Sequence, residues 1–327
     1  MDSFREQPYQ IAVVGDIHDH WEASEDRLAL QQLGVDLVLF VGDFGNESVE
    51  VVRAIASLDL PKAVVMGNHD AWYTSSDWGR ENSPYDHTQE DRVQQQLELL
   101  GETHVGYGKL DFPGLNLSVV GSRPFSWGGA EWQNRDFYRD RFGVNNFEES
   151  SDRIVAAANE AAYDTVLLLG HNGPTGLGDQ PEDTCGIDWN PRGGDFQAED
   201  TCGIDWNPRG GDFGDPDLTK AIKQVRASGK TIPLVTFGHM HHRLRHTQSR
   251  LRTAISTDTE GTIYFNSASV PRIMEADGDR LRNFSLVSLT SKGVSEISLV
   301  WLGQDFTVAS KQTLYRDSQL TAQPTCG

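Results

Sequence analysis

Val64-Val65-Met66-Gly67-Asn68-His69-Asp70 is an apolar run that ends in glycine and then presents three polar residues able to bind metal or move protons. It reads as a buried strand entering a tight turn at its carboxyl end, the place where open α/β folds put their ligands. Alone, Gly-Asn-His-Asp is also an ordinary turn sequence, because glycine, asparagine and aspartate all favour turns. The design recurs, however. Ile11–Val14 runs into Gly15-Asp16-Ile17-His18, and Leu37–Val41 into Gly42-Asp43. Val166–Leu169 runs into Gly170-His171, and Leu234–Phe237 into Gly238-His239-Met240-His241.

A parallel sheet brings the carboxyl ends of such strands to one edge. The residues gathered there are Asp16, His18, Asp43, Asn68, His69, Asp70, His171, His239 and His241. The set is rich in carboxylate and imidazole and has no thiolate, which suits Mn²⁺, Fe²⁺ or Zn²⁺. Asp16 and His18 lie two apart on an extended segment and can point the same way, as can His239 and His241. One metal takes three or four protein ligands, so this many donors fit two metals sharing a carboxylate. His20, His87, His104, His242 and His246 lack this placement and read as solvated residues or as partners of the ligands.

The ordered series Gly-Asp-x-His, Gly-Asp, Gly-Asn-His-Asp, Gly-His and Gly-His-x-His, spanning residues 15–241, resembles the calcineurin-like metallophosphoesterase superfamily. The resemblance implies an α/β fold, a four-layer α/β/β/α sandwich of two mixed sheets, with a dinuclear site at the strand ends. Carried over position by position, it implies that Asp16, His18 and His241 bind one metal, that Asn68, His171 and His239 bind the other, and that Asp43 bridges them. It makes His69 the acid that meets the leaving group, with Asp70 expected to orient its imidazole. The implied reaction is hydrolysis of a phosphate ester by a metal-bridging hydroxide, with two divalent ions, Mn²⁺ first, as cofactors. The expected substrate is a phosphomonoester of a small molecule or phosphoprotein. The alternatives are a phosphodiesterase or pyrophosphatase acting on a nucleotide-type substrate, or a non-enzymatic binding scaffold.

The chain departs from the Ser/Thr phosphatase branch, whose motif is Gly-Asp-x-Val-Asp-Arg-Gly; here the stretch is Gly42-Asp43-Phe44-Gly45-Asn46-Glu47-Ser48. That branch also has Glu where Asp70 stands. The arginine of that motif is absent, and Arg123 in Gly121-Ser122-Arg123-Pro124 is the candidate substitute, since a guanidinium suits bidentate phosphate binding. Trp127, Trp189 and Trp206 are candidates to wall a substrate cleft, although packing alone also accounts for them. Arg192 and Arg209 are further basic candidates in the long loop after His171.

Along the chain, helical periodicity falls at 22–33, 47–58, 91–100, 148–162 and 216–228. Strands are expected at Tyr9–Val14, Asp36–Val41 and Lys62–Met66, making a β-α-β-α-β opening with parallel strands and right-handed crossovers. Shorter strands are expected near 104–107 and 115–120, and antiparallel strands at 251–258, 262–266, 281–290 and 294–302. Residues 72–90 show little periodicity. The expected organisation is a flexible leader at 1–8, a single domain over 9–316 and a flexible tail at 317–327. A loop at about 172–215 carries a tandem duplication: Gln180–Phe196 recurs at Gln197–Phe213 with only Pro181 replaced, by Ala198. Two copies cannot make a solenoid, so one copy is expected to displace the other or bulge outward.

The chain has 327 residues and a formal net charge of −20, which opposes nonspecific binding to nucleic acid or anionic membranes. An anionic substrate remains compatible, because bound divalent cations invert the local field. The cysteines, Cys185, Cys202 and Cys326, show no CxxC spacing and read as reduced, non-catalytic thiols. No apolar run spans a bilayer, and the first residues lack the regions of a signal peptide. The expected location is the cytoplasm or a plastid stroma, the expected partner is a phosphorylated substrate, and no nucleic-acid or membrane partner is expected.

Overall fold

A computed structural model of the chain describes residues 8–187, 211–244, 250–276 and 278–320. The strands are β1 (Tyr9–Val14), β2 (Leu37–Phe40), β3 (Lys62–Val64), β4 (Lys109–Phe112), β5 (Leu117–Gly121), β6 (Thr165–Leu169) and β7 (Thr231–Phe237). They continue as β8 (Ile255–Thr257), β9 (Ile263–Asn266), β10 (Ile273–Ala276), β11 (Asp279–Thr290), β12 (Gly293–Leu302) and β13 (Val308–Arg316). The helices are α1 (Ala23–Gln32), α2 (Val49–Ala56), α3 (Asp77–Glu81), α4 (Arg92–Leu100), α5 (Arg135–Phe142), α6 (Phe147–Asn159) and α7 (Pro216–Ala227).

The strands form two mixed sheets. One runs β13-β12-β11-β1-β2-β3 with β10 beside β11, and the other runs β4-β5-β6-β7-β9-β8. β1, β2 and β3 pair in parallel, as do β5, β6, β7 and β9, while β11, β12 and β13 are antiparallel. Side-chain alternation along the strands then builds three apolar layers. Ile11, Val13, Leu37 and Leu39 face between the sheets, against Leu117, Val119, Leu167, Leu169 and Leu234. Ala12, Val14, Val38 and Phe40 face outward under α1, α2 and α4, against Leu30, Val52, Ile55 and Val93. Val166, Leu168, Val235 and Phe237 face the other way under α6 and α7, against Ile154, Ala158, Leu218 and Val225. Three apolar layers separate four structural ones, giving an α/β/β/α sandwich. The apolar runs are unbroken because these strands are covered on both faces.

Several expectations shift. The strand expected near 104–107 lies at β4, and the segment around His104 makes only a single bridge, Val64 to His104. β10, β13, α3 and α5 are additional to the expected elements. β13 is an edge strand exposed along Val308–Thr313, so it lacks a clean alternation. The leader through residue 7, the tail from 321, Cys202, Cys326, Trp189, Trp206, Arg192, Arg209 and His246 lie outside the described residues.

What the structure describes of the duplicated loop is a composite. Ile187 N–H bonds to the carbonyl of Gly211, and Phe213 N–H to that of Cys185. The head of the first copy thus pairs with the tail of the second. Cys185 is buried as a free thiol in the outer core layer.

Candidate metal centre

The five strand exits meet. β1, β2 and β3 deliver Asp16, His18, Asp43, Asn68 and His69 from one sheet, while β6 and β7 deliver His171, His239 and His241 from the other. Asp16, His18 and His241 place ligand atoms within 4.8 Å of one another, as do Asp43, His171 and His239, and also His18, Asp43 and His69. Asn68 Oδ1 lies 2.8 Å from His171 Nε2, which joins it to the second set. Asp43 Oδ1 lies 3.4 Å from His171 Nε2, and His18 Nε2 lies 3.3 Å from His241 Nε2.

Close approach of the exits explains their glycines. A Cβ on Gly67 would collide with the Asp43 carboxylate and the His171 ring, and one on Gly238 would collide with the Asp16 carboxylate. Neither glycine has a positive φ, so the demand is for space. The strain lies in the site residues instead. Asp16, His18, Asp43 and His239 have φ of 49°, 43°, 56° and 67°. Non-glycine residues held there cost of order 1–3 kcal/mol each and persist only where the surroundings over-determine them.

Backbone bonds hold the ligands. His239 N–H donates to Asp16 Oδ1 at 2.9 Å, and His69 N–H to Asp43 Oδ1 at 2.9 Å. His171 Nδ1 donates to the carbonyl of Val41 at 2.7 Å, which turns Nε2 toward the cluster as a lone-pair donor. Arg252 Nε donates to the carbonyl of His241 at 3.0 Å and steadies the second β7 ligand.

The electrostatics fit cations. Burial lowers the pKa of His18 to about 4, with the neighbouring His171 adding to the shift. Burial likewise takes His171 down to about 4. His239 and His241 are pushed well below the ordinary imidazole value, by burial first and then by the adjacent imidazoles, His171 beside His239 and His18 beside His241, which disfavour a further positive charge. Burial raises Asp43 to about 7 against the opposing bond from His69 N–H. The imidazoles are therefore neutral and able to donate lone pairs, as metal binding requires. Among the described residues no lysine or arginine pairs with the buried Asp43 carboxylate, and a divalent cation would supply the positive charge.

Two expectations need correction. Asp70 does not orient His69. Its carboxylate accepts from the backbone N–H groups of Gly67 at 2.7 Å, Asp43 at 2.9 Å and Phe44 at 2.8 Å. It therefore ties the β2 exit to the β3 exit. The partner of His69 Nδ1 is Asn46 Oδ1, at 2.6 Å. Nor is Arg123 a free phosphate clamp. It is 2% exposed, and its guanidinium is committed to Asp215 at 2.7 Å and Asp217 at 3.0 Å. Trp132 packs against that guanidinium at 5.0 Å.

Glu47 and Trp72 also stand at the site without a motif that marks them. Glu47 is buried, accepts from Tyr73 N–H at 2.8 Å and Thr74 N–H at 2.7 Å, and takes the Tyr85 hydroxyl on its other oxygen. It brackets the segment after the Asn-His-Asp turn to the loop that carries Asn46. The signal available was position: Asn46 and Glu47 follow Gly42-Asp43 in the same exit loop.

A family model described as calcineurin-like phosphoesterase matches residues 9–243. None of the curated proteins matches the chain significantly. Among solved structures, one from Thermus thermophilus is 11% identical, covering 94% of this chain and 100% of its own, with a TM-score of 0.45. A dimetal phosphatase from Danio rerio is 13% identical, covering 95% and 100%, with a TM-score of 0.44. A phosphopantetheinyl hydrolase from Mycobacterium tuberculosis is 12% identical, covering 80% and 90%, with a TM-score of 0.40.

Proposed function

The chain belongs to the calcineurin-like phosphoesterase family, and from that premise we propose that it hydrolyses a phosphoric ester with two divalent cations. The observation that carries the reading is the pair of donor sets, Asp16/His18/His241 and Asp43/His171/His239, with the Asp43 carboxylate also in reach of His18. The first set would hold one cation, the second set with Asn68 the other, and Asp43 would serve both. When bound, the cations supply an activated water and neutralise the phosphoryl oxygens.

The chain's own residues then divide the remaining work. His69 is 3% exposed, and its Nε2 is enclosed with no hydrogen-bond partner among the described residues. Its Nδ1 donates to Asn46, so Nε2 is the nitrogen left for the substrate. In the free site, burial first and then neighbouring His18 hold the ring well below its ordinary pKa. An anionic ester beside it favours the imidazolium, which can then protonate the departing oxygen.

The test strips the protein of metal, reloads it with Mn²⁺, and compares p-nitrophenyl phosphate with bis-p-nitrophenyl phosphate. Turnover restored by Mn²⁺ and lost in Asp43→Asn is the expected result, and the preferred compound assigns monoester or diester. Turnover unchanged in Asp43→Asn would sink the shared-carboxylate reading.

A further inference from the structure

The most unusual packing near the donor sets is aromatic. The His69 ring stacks on Trp72 with centroids 4.5 Å apart and planes 11° apart. Trp72 in turn stacks on Trp127 at 5.3 Å and 15°. His18 meets the His69 ring edge-on at 4.9 Å and 87°. Trp72 leaves the Asn68–Ala71 turn beyond β3, whereas Trp127 sits in the loop beyond β5, so the column joins exit loops of the two sheets. Those loops also touch through the bridge between Gly67 and Ser126 and the bond from Phe125 N–H to the carbonyl of Met66 at 2.7 Å.

A histidine ring turns about a broad torsion at χ2. The Asn46 bond selects which nitrogen faces the donor sets, but a single hydrogen bond leaves the ring free to tilt about it. A parallel indole removes that tilt. We propose that Trp72 is a positioning residue, whose stack holds the His69 imidazole with Nε2 aimed at the leaving oxygen, and that Trp127 braces Trp72 from the other sheet. The inference rests on reading His69 as the proton donor. In that step the phosphorus–oxygen bond to the leaving group breaks and its electron pair stays on the leaving oxygen. The Nε2 proton passes to that oxygen. Water supplies the new phosphorus–oxygen bond, and a proton from it restores the imidazolium.

A donor acting on the leaving oxygen matters in proportion to that oxygen's basicity. Nitrophenolate departs without a proton, whereas an alkoxide requires one. The experiment measures kcat and KM of the Mn²⁺-loaded protein on a p-nitrophenyl ester and an alkyl ester of the class it turns over. The proteins are wild type, Trp72→Leu, Trp72→Phe, His69→Ala and the double variant His69→Ala/Trp72→Leu. For Trp72→Leu we expect kcat on the alkyl ester to fall about 10- to 100-fold, part of the loss from removing the acid itself, with KM unchanged. On the nitrophenyl ester kcat should fall less than about 3-fold, since little proton transfer is demanded. Trp72→Phe, which keeps a stacking ring, should recover most of the loss. The double variant should be no worse than His69→Ala, because residues acting as a unit are not additive. A readout free of catalysis is the proton NMR spectrum of the zinc-loaded protein. There the His69 ring protons should lie upfield under the Trp72 ring current and move downfield in Trp72→Leu.

Equal losses on both esters, additive losses in the double variant, or unmoved His69 ring protons would overturn the positioning role. Full alkyl-ester activity in His69→Ala, or a wild type inert on both esters, would overturn the proton-donor reading on which the proposal stands. The NMR shift would still report whether Trp72 holds the ring, so the two failures are distinguishable.

Discussion

Asn46 Oδ1 and His69 Nδ1 lie 2.6 Å apart, joining the β2 exit loop to the imidazole that faces both donor sets. An amide stands there beside a histidine whose sequence neighbour, Asp70, is spent on backbone N–H groups. Asn46→Ala should lower kcat about 10- to 100-fold, the usual cost of losing the group that orients a working histidine, while leaving bound metal and KM unchanged. Steady-state kinetics with metal analysis of the same samples checks this.

Asp70 should be a stability residue first. Its carboxylate serves three buried N–H groups, on Gly67, Asp43 and Phe44. Each buried N–H left unpaired costs about 1–3 kcal/mol. Asp70→Ala should therefore lose more stability than His69→Ala in denaturant unfolding of the metal-free proteins. Equal midpoints would show that the loop holds itself.

Arg123→Met should leave two buried carboxylates, Asp215 and Asp217, without their cation. Breaking a buried pair from one side costs about 3–5 kcal/mol, so the unfolding midpoint should drop sharply. The folded fraction should keep its KM for a phosphoester. A raised KM with an unchanged midpoint would return Arg123 to the role of phosphate clamp.

Gly67→Ala tests the demand for space. The added methyl meets the Asp43 carboxylate and the His171 ring, whereas at Gly114 a Cβ would meet nothing within 4 Å. Gly67→Ala should lose bound metal at stoichiometric loading, and Gly114→Ala should bind as wild type does, both read by metal analysis after gel filtration.

His104 gives a pH prediction away from the donor sets. Its Nε2 is enclosed without a hydrogen-bond partner among the described residues, and burial lowers its pKa from 6.5 to about 4. Above pH 6.5 both folded and unfolded forms are neutral, so the site contributes no pH dependence there. Between 6.5 and 4 the unfolded chain binds the proton and the folded chain does not, so stability falls as pH falls. The loss should reach about 2–3 kcal/mol near pH 4, at about 1.4 kcal/mol per pH unit. His104→Phe should reduce the acid slope by that amount, as read from unfolding midpoints of both proteins at pH 7 and 4.5.

The recurring apolar run, glycine and polar residue made the sheet edges and the donor sets legible from residue order, because a strand buried on both faces must be apolar throughout and must then exit. Ile11–Val14 and Val166–Leu169 announce themselves in this way. β13 does not, because an exposed edge strand carries no such pattern. The partners of the site were less legible still. Asp70 is the chain neighbour of His69 and reads as its partner, whereas Asn46 lies 23 residues away in the β2 exit loop. Which of them meets the ring depends on how Gly42–Glu47 folds back over the Asn68–Ala71 turn. Trp72 and Trp127 are 55 residues apart, by subtraction of their numbers, on loops of different sheets. Nothing adjacent to Arg123 in the chain marks its partners, because Asp215 and Asp217 reach it from 92 and 94 residues on.

The sequence by itself determined which side chains stand at the strand exits, because local periodicity and the glycine after each run are properties of neighbouring residues. Only the tertiary structure decided what those side chains face. A hydrogen bond, a ring stack or a buried ion pair depends on distances between segments remote in the chain, and these are set by how the two sheets pack across their shared apolar layer.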